Sequence, residues 1–332
     1  MDAPNALYIL STSAFNKIYG PEEQMEIASL CNLYATPQTA ESIAENPELL
    51  YDVEIIFSGW GAPQMDAKFL AAAPHLKAVF YGAGSVKKMV TDAFWNRGII
   101  LTSAWAANGI PVSEFALAEI LFSLKHGWKY VRAIHDTGAY VSKTSSPSLY
   151  GSTVAIISLG MIGRKVTKLL KNFHLNVVAY DPFVTQDTAD KLGVRLVSLE
   201  EAFRIADVVS LHTPLLPETK GMITEAHLRS MKPGATFVNT ARGAIVDEPA
   251  MIRVLQERPD IFAVLDVTCP EPPVDGSPLY TLPNVFMTPH ISGSTDQECR
   301  RLGQSAVEEC RAYLEGRPLK WRLTKEMAAK LA

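Results

Sequence analysis

Three polar residues in the last third of the chain, Arg242, Glu271 and His290, are of types that can move a proton and hold an anion. Each lies in an apolar or Gly/Pro-marked stretch: Asn239-Thr-Ala-Arg-Gly-Ala-Ile-Val, Ala263-Val-Leu-Asp-Val-Thr-Cys-Pro-Glu-Pro and Met287-Thr-Pro-His-Ile-Ser-Gly. Charged groups beside buried strands are expensive unless they are paired or used. His290 follows a strand pattern, and Glu271 lies 19 residues earlier, at the end of the preceding strand-and-loop unit. On adjacent parallel strands the two side chains would meet. A carboxylate there would favour the imidazolium and fix the ring's tautomer, so that the histidine can serve as an acid. Arg242 also ends a strand pattern, and a guanidinium can grip a carboxylate bidentately while leaning on a carbonyl oxygen. Gly243 beside it reads as a permit for unusual backbone. Taken singly, each residue has an ordinary structural reading: a core histidine, a solvated loop carboxylate, a salt-bridged arginine. Together they make an acid, its tuner and an anion clamp.

A second constellation precedes them. Ser158-Leu-Gly160-Met161-Ile162-Gly163 follows a strand pattern and opens a helix, with the spacing of G-x-G-x-x-G and Ser in the first place. Gly160 would let backbone approach a pyrophosphate, Gly163 would let helix and strand pack closely, and the helix N-terminus offers free N–H groups to phosphate. The motif alone is weak. Asp181 strengthens it, because it ends the next strand 18 residues past Gly163, where a carboxylate can accept from a ribose diol. An acid there repels a 2′-phosphate, so NAD is favoured over NADP. Asp266 closes the strand Ala-Val-Leu and faces the same crevice. No cysteine pair has metal-ligand spacing, and no metal is expected.

The elements that must position these residues alternate in type. Apolar runs at 6–10, 53–58, 78–81 and 99–102 read as buried strands, separated by helical patterns near 21–31, 39–48, 66–72 and 91–97. A second series of seven strand candidates begins at residues 153, 176, 194, 208, 235, 263 and 285. This βαβ rhythm implies parallel sheets with helices on both faces. A long helix is expected over Pro111–Tyr130, with Pro111 in its first turn, and another over Thr295–Glu315, stopping at Gly316. A Ser/Thr/Gly-rich joint spans 136–150. If the last helix packs back on the first series, the first domain is discontinuous: 1–103 plus 297–332 around a second domain, 104–296.

The bulk numbers agree with a two-domain globular protein. The chain has 332 residues, 48% hydrophobic and 20% charged, with a net charge of −4. There is no basic surplus for nucleic acid and no polybasic membrane patch. No run approaches the roughly 20 apolar residues of a membrane span. Four scattered cysteines and no leader-like N-terminus lead us to expect a cytoplasmic location.

The chain resembles the D-isomer-specific 2-hydroxyacid dehydrogenases from roughly residue 50 to 317. The resemblance rests on Gly160-Met-Ile-Gly-Arg, Leu211-His-Thr-Pro-Leu-Leu-Pro-Glu-Thr, Met231-Lys-Pro-Gly-Ala, Asn239-Thr-Ala-Arg-Gly-Ala-Ile-Val-Asp, Asp266-Val, Pro270-Glu-Pro, and Pro283-Asn-Val through Thr288-Pro-His-Ile-Ser-Gly. It implies a Rossmann-type cofactor domain inserted into a flavodoxin-like substrate domain, and NAD-dependent interconversion of a 2-oxo acid and a D-2-hydroxy acid. It also implies that Arg242, Glu271 and His290 are catalytic. By the same resemblance Asp266 orients the nicotinamide amide. His212, Thr213, Pro214, Thr240, Ala241 and Gly293 join the cofactor cleft, and Gly82, Ala83 and Gly84 present N–H groups to the substrate carboxylate. A homodimer held by the cofactor domain is expected, because the 111–130 pattern is apolar around much of its circumference. After Gly84 the family's usual Tyr/Phe-Asp is replaced by Ser85-Val-Lys-Lys, which leaves the substrate open. Two alternatives stand beside this reading. One is a non-catalytic NAD(H)-sensing corepressor on the same scaffold. The other is a formate- or phosphite-type dehydrogenase, against which Glu271 argues because formate enzymes of this fold carry Gln there.

Overall fold

The structure is a computed structural model and describes residues 3–143 and 146–330. Asn5–Ile9 (β1), Asn32–Leu33 (β2), Ile55–Ser58 (β3), Ala78–Tyr81 (β4) and Ile100–Ser103 (β5) form an all-parallel sheet in the order β2-β1-β3-β4-β5. The sequence predicts four of these strands. The fifth, β2, is two residues long, too short to carry a period-two pattern. Both faces of the sheet are covered, as alternation requires. Leu7, Ile9, Ile56, Val79 and Leu101 pack into one apolar cluster, and Ala6, Tyr8, Ile55, Phe57 and Phe80 into another. Burying one such Leu, Ile or Phe side chain stabilises by roughly 1.5–3 kcal/mol.

Tyr150–Ile157 (β6), His174–Tyr180 (β7), Arg195–Leu196 (β8), Val208–Leu211 (β9), Thr236–Asn239 (β10), Phe262–Leu265 (β11) and Val285–Met287 (β12) form a second parallel sheet. Its order is β12-β11-β10-β9-β6-β7-β8. All seven strands lie where the sequence predicts them. Chain direction across the sheet reverses between β6 and β9, the place where open α/β sheets leave a crevice at their strand C-termini. Ala155, Ile157, Val209, Leu211 and Phe237 cover one face, and Val154, Ile156, Val208, Val238 and Val264 the other. The two strand orders are those of the flavodoxin-like and Rossmann folds. The chain divides into two compact units: one ends at Gly109 and resumes at Ser294, and the other runs from Ile110 to Gly293.

The helix expected over Pro111–Tyr130 is two helices. The first runs Trp105–Ser123 with Pro111 inside it, and the second runs Gly127–Thr137. Between them His126 takes a left-handed conformation at φ +52, and its N–H donates to Ser123 O at 2.8 Å. A Cβ at Gly127 would sit 2.4 Å from the Phe122 ring, so the glycine lets that ring lie against the start of the second helix. The C-terminal helix, Arg300–Leu314, is preceded by a 3₁₀ turn at Asp296–Cys299. It ends at Gly316, φ +67, with Arg317 N–H donating to Ala312 O at 2.8 Å. Residues 144 and 145 of the expected joint lie outside the described residues. Among the described residues no helix is long and apolar enough to cross a membrane.

Candidate active site

Three neighbouring strands, β10, β11 and β12, deliver the candidate chemical groups at their C-terminal ends. Asn239, 1% exposed, closes β10 and moulds the turn after it. Its Oδ1 accepts the Ala241 N–H at 3.0 Å, and its Nδ2 donates to Arg242 O at 3.2 Å. The turn aims Arg242, whose Nη1 donates to Ala241 O at 2.6 Å. Burial pulls the Arg242 guanidinium below the ordinary arginine range, and the Glu271 charge works in the opposite direction. Among the described residues no carboxylate lies within salt-bridge distance of the Arg242 guanidinium.

Gly243 has a different role from the one expected of it. It carries no positive φ. A Cβ there would lie 2.0 Å from Thr268 C and 2.1 Å from Thr268 O. The glycine lets the segment carrying Arg242 touch the backbone of the segment carrying Glu271. This contact is between elements, so the Arg-Gly dipeptide alone does not reveal it.

His290 Nδ1 and Glu271 Oε1 stand 2.6 Å apart, and both side chains are 41% exposed. His290 holds φ +55, a conformation that non-glycine residues adopt only under constraint. The constraint is Asp266, at the end of β11 and 2% exposed. Its Oδ1 accepts the Thr288 hydroxyl at 2.6 Å and the Ile291 N–H at 2.8 Å, and its Oδ2 accepts the Ser292 N–H at 2.9 Å. Asp266 therefore clamps the loop on both sides of His290. Glu248, 7% exposed, does the same for Glu271, accepting the Cys269 N–H at 2.7 Å. Burial pushes the Glu248 carboxyl up, and the Cys269 hydrogen bond pulls it down. Sequence reasoning did not single out Glu248 or Asn239. Their roles are contacts across a fold, with no local spacing to betray them.

The turn after β6 fits a dinucleotide. Gly160 caps the helix Met161–Leu170, and a Cβ on it would meet only Ser158 Oγ, at 3.9 Å, so its outer side is open. Gly163 is different: a Cβ would lie 2.1 Å from Ser158 O, which makes it a packing glycine. Met161 and Ile162 form the first turn between them. Ser158 sits at φ +79, where the first glycine of the motif would rest without strain. Asp181 braces it, accepting the Leu159 N–H at 2.7 Å, the Ser158 hydroxyl at 3.4 Å and the Phe183 N–H at 2.9 Å. At the end of β9, burial holds His212 neutral, with its pKa down at about 4, and its Nε2 lies 2.9 Å from Ser210 Oγ. Thr213 and Thr240 are each 6% exposed, and among the described residues Thr240 Oγ1 is a buried hydroxyl without a partner. An orphan hydroxyl just past a strand end is what a bound polar ligand would satisfy. Pro214 and Ala241 follow the same strand ends, and Gly293 is the last residue of the second unit. Gly82, Ala83 and Gly84 follow β4 in the first unit.

Comparisons with known proteins place the chain in a family. The family described as "D-isomer specific 2-hydroxyacid dehydrogenase, NAD binding domain" matches residues 117–292. D-3-phosphoglycerate dehydrogenase of Archaeoglobus fulgidus is 34% identical over 257 residues, which are 77% of this chain and 49% of that protein. The chain thus spans about half the length of the curated relatives it matches. Among solved structures, the TT0316 protein of Thermus thermophilus is 28% identical with a TM-score of 0.75, over 96% of this chain and 100% of that one. D-lactate dehydrogenase of Aquifex aeolicus, solved with NAD and lactic acid, is 25% identical with a TM-score of 0.73, over 94% of this chain and 96% of that one. The second unit is an NAD-binding domain, and the chain belongs to the D-isomer-specific 2-hydroxyacid dehydrogenase family.

Proposed function

We propose that this protein interconverts a 2-oxo acid and a D-2-hydroxy acid, with His290 as general acid and base. The observation that carries the reading is the 2.6 Å contact between His290 Nδ1 and Glu271 Oε1. With Nδ1 engaged by the carboxylate, Nε2 is the nitrogen left to exchange a proton with the oxygen on C2. Glu271 holds the ring's tautomer and orientation. Arg242 binds the substrate carboxylate and polarises the carbonyl. NAD supplies or takes up the hydride at C2 when bound. Gly160, Met161, Ile162 and Gly163 would receive its pyrophosphate, Asp181 its ribose diol, and His212, Thr213, Pro214, Thr240, Ala241, Asp266 and Gly293 the rest of the cofactor. Asp266 already accepts three protein hydrogen bonds. A carboxylate has about four lone-pair sites, so one remains for a cofactor amide. Gly82, Ala83 and Gly84 in the first unit would hold the substrate carboxylate, which makes that unit the substrate domain.

The names of the relatives, phosphoglycerate and lactate dehydrogenases, support the reaction class and point to different acids. A panel of 2-oxo acids assayed with NADH tests the proposal. We expect NADH oxidation with at least one of them. Tight NADH binding with no turnover on the whole panel would replace this reading with that of an NAD(H) sensor.

A homodimer belongs to the same reading. The helix Gly127–Thr137 has no buried residue, and Val131 and Ile134 on it are 55% and 40% exposed. Phe122 is 39% exposed, Tyr140 94% and Tyr150 78%. An apolar surface of this kind on one unit calls for a second one to cover it.

A further inference from the structure

The first unit ends β5 at Ser103, which is 2% exposed. The Ser103 hydroxyl oxygen lies 2.8 Å from the Ala83 carbonyl oxygen and 2.6 Å from the Gly84 carbonyl oxygen. It also accepts the Trp105 N–H at 3.3 Å. A serine hydroxyl has one proton, so the two carbonyls share it. The Trp105 N–H occupies a lone pair and turns the proton toward the glycine loop.

The consequence follows from peptide geometry. A trans peptide points its C=O and its N–H in opposite directions. With the Ala83 and Gly84 carbonyls turned to Ser103, the N–H groups of Gly84 and Ser85 face the other way. Neither of these N–H groups donates to an acceptor among the described residues. Both residues are partly exposed. A Cβ on Gly84 would meet only Asn108 Nδ2, at 3.7 Å. Asn108 Oδ1 is occupied by the Ser294 N–H at 2.9 Å, so Asn108 turns its amide donor to the loop. Two successive free N–H groups make an anion-binding concavity.

The start of the loop is anchored separately. Gly82 N–H donates to Ser58 O at 2.8 Å, and a Cβ there would lie 2.7 Å from Ile18 Cγ2 and 2.9 Å from Tyr19 Oη. Packing thus places Gly82 and buries Ala83, and Ser103 supplies the hydroxyl donor shared by the Ala83 and Gly84 carbonyls.

We propose that Ser103 is a positioning residue for the substrate. Its hydroxyl sets two peptide planes so that the Gly84 and Ser85 N–H groups converge on the carboxylate of the 2-oxo acid. This rests on the reading of Gly82–Gly84 as the substrate segment. Without the hydroxyl, two carbonyls would lose their buried donor, and the N–H pair would no longer be held in one direction.

The test is oxalate binding to the NADH-loaded protein, measured by calorimetry for wild type, Ser103→Ala and Ser103→Thr. Losing one oriented hydrogen bond to a charged group should weaken oxalate roughly tenfold in Ser103→Ala. NADH affinity should stay within twofold. KM for the best 2-oxo acid should rise in step with the oxalate Kd, with a smaller change in kcat. Ser103→Thr keeps the hydroxyl and should restore both. If Ser103→Ala does not fold, Ser103→Cys, with its weak S–H donor, serves in its place and should show an intermediate loss. An unchanged oxalate Kd in the variant, a threonine variant as weak as alanine, or a wild type that binds no oxalate would each overturn the proposal. A wild type that binds oxalate but reduces no 2-oxo acid would end the dehydrogenase reading, and the oxalate comparison would still decide the role of Ser103.

Discussion

His290 and Glu271 are exposed enough to reach a ligand and close enough to act as one unit. We therefore expect His290→Gln to lower kcat/KM by roughly 10²–10⁴-fold, the usual worth of a general acid. NADH affinity, read by fluorescence titration, should change less than twofold; near-normal turnover would exclude the assigned role. Gly243→Ala tests the packing beneath Arg242. Its new methyl would have to displace the Thr268 backbone from 2.0 Å. A loss of roughly 2 kcal/mol or more in urea unfolding, together with loss of activity, is expected. Unchanged stability would mean that the two segments part freely. His212 gives a pH signature. Unfolded, a histidine titrates near 6.5, whereas burial holds folded His212 at about 4. Between those values the unfolded chain takes a proton that the folded chain refuses. Stability from this group is complete above about pH 6.5 and lost as pH falls toward 4, by up to about 3 kcal/mol. His212→Gln should flatten that part of the stability–pH curve, and a curve parallel to wild type would refute it.

At the scale of elements, the turn between β6 and its helix carries strain that the sequence motif hints at. Ser158 stands at φ +79 where the motif usually has glycine. Asp181 holds the turn with two N–H acceptances and one longer hydroxyl contact. Ser158→Gly should relieve the left-handed conformation and raise stability by up to about 1 kcal/mol. NADH affinity should be kept or improved. A destabilised glycine variant would show that the serine hydroxyl matters more than the backbone. The same element explains why two glycines of one motif differ. Gly160 leaves space for a ligand, and Gly163 has no space to give.

At the scale of the whole molecule, the exposed apolar side chains on and beside the helix Gly127–Thr137 are the feature the single chain leaves unexplained. Sedimentation equilibrium at micromolar concentration should return twice the 36.4 kDa chain mass. Arg or Glu in place of both Val131 and Ile134 should shift the population toward single chains, since charges at such a contact lose their hydration. A wild type that sediments as one 36.4 kDa chain at every concentration would remove the dimer from the reading.

What the sequence determined by itself was whatever is encoded locally and repeatedly. The central strands β9, β10 and β11 of the second sheet show in their apolar runs, because a strand covered on both faces is mainly apolar. The places of the glycine motif, Asp181 and the three candidate residues after strand ends show in their spacing, because strand ends recur at βα intervals. The tertiary structure alone decided what depends on approach between distant segments. Gly243 is needed for contact with Thr268, not for its own dihedral angles. Asp266 and Glu248 hold the His290 and Glu271 segments through hydrogen bonds across 20 or more residues of chain. The break between the two helices falls at His126, whose backbone is left-handed, and the helix start at Trp105 places Pro111 inside a helix it was expected to open. Local pattern records which face of an element is apolar. Which backbone atoms then meet is set by packing, and no periodicity along the chain reports it.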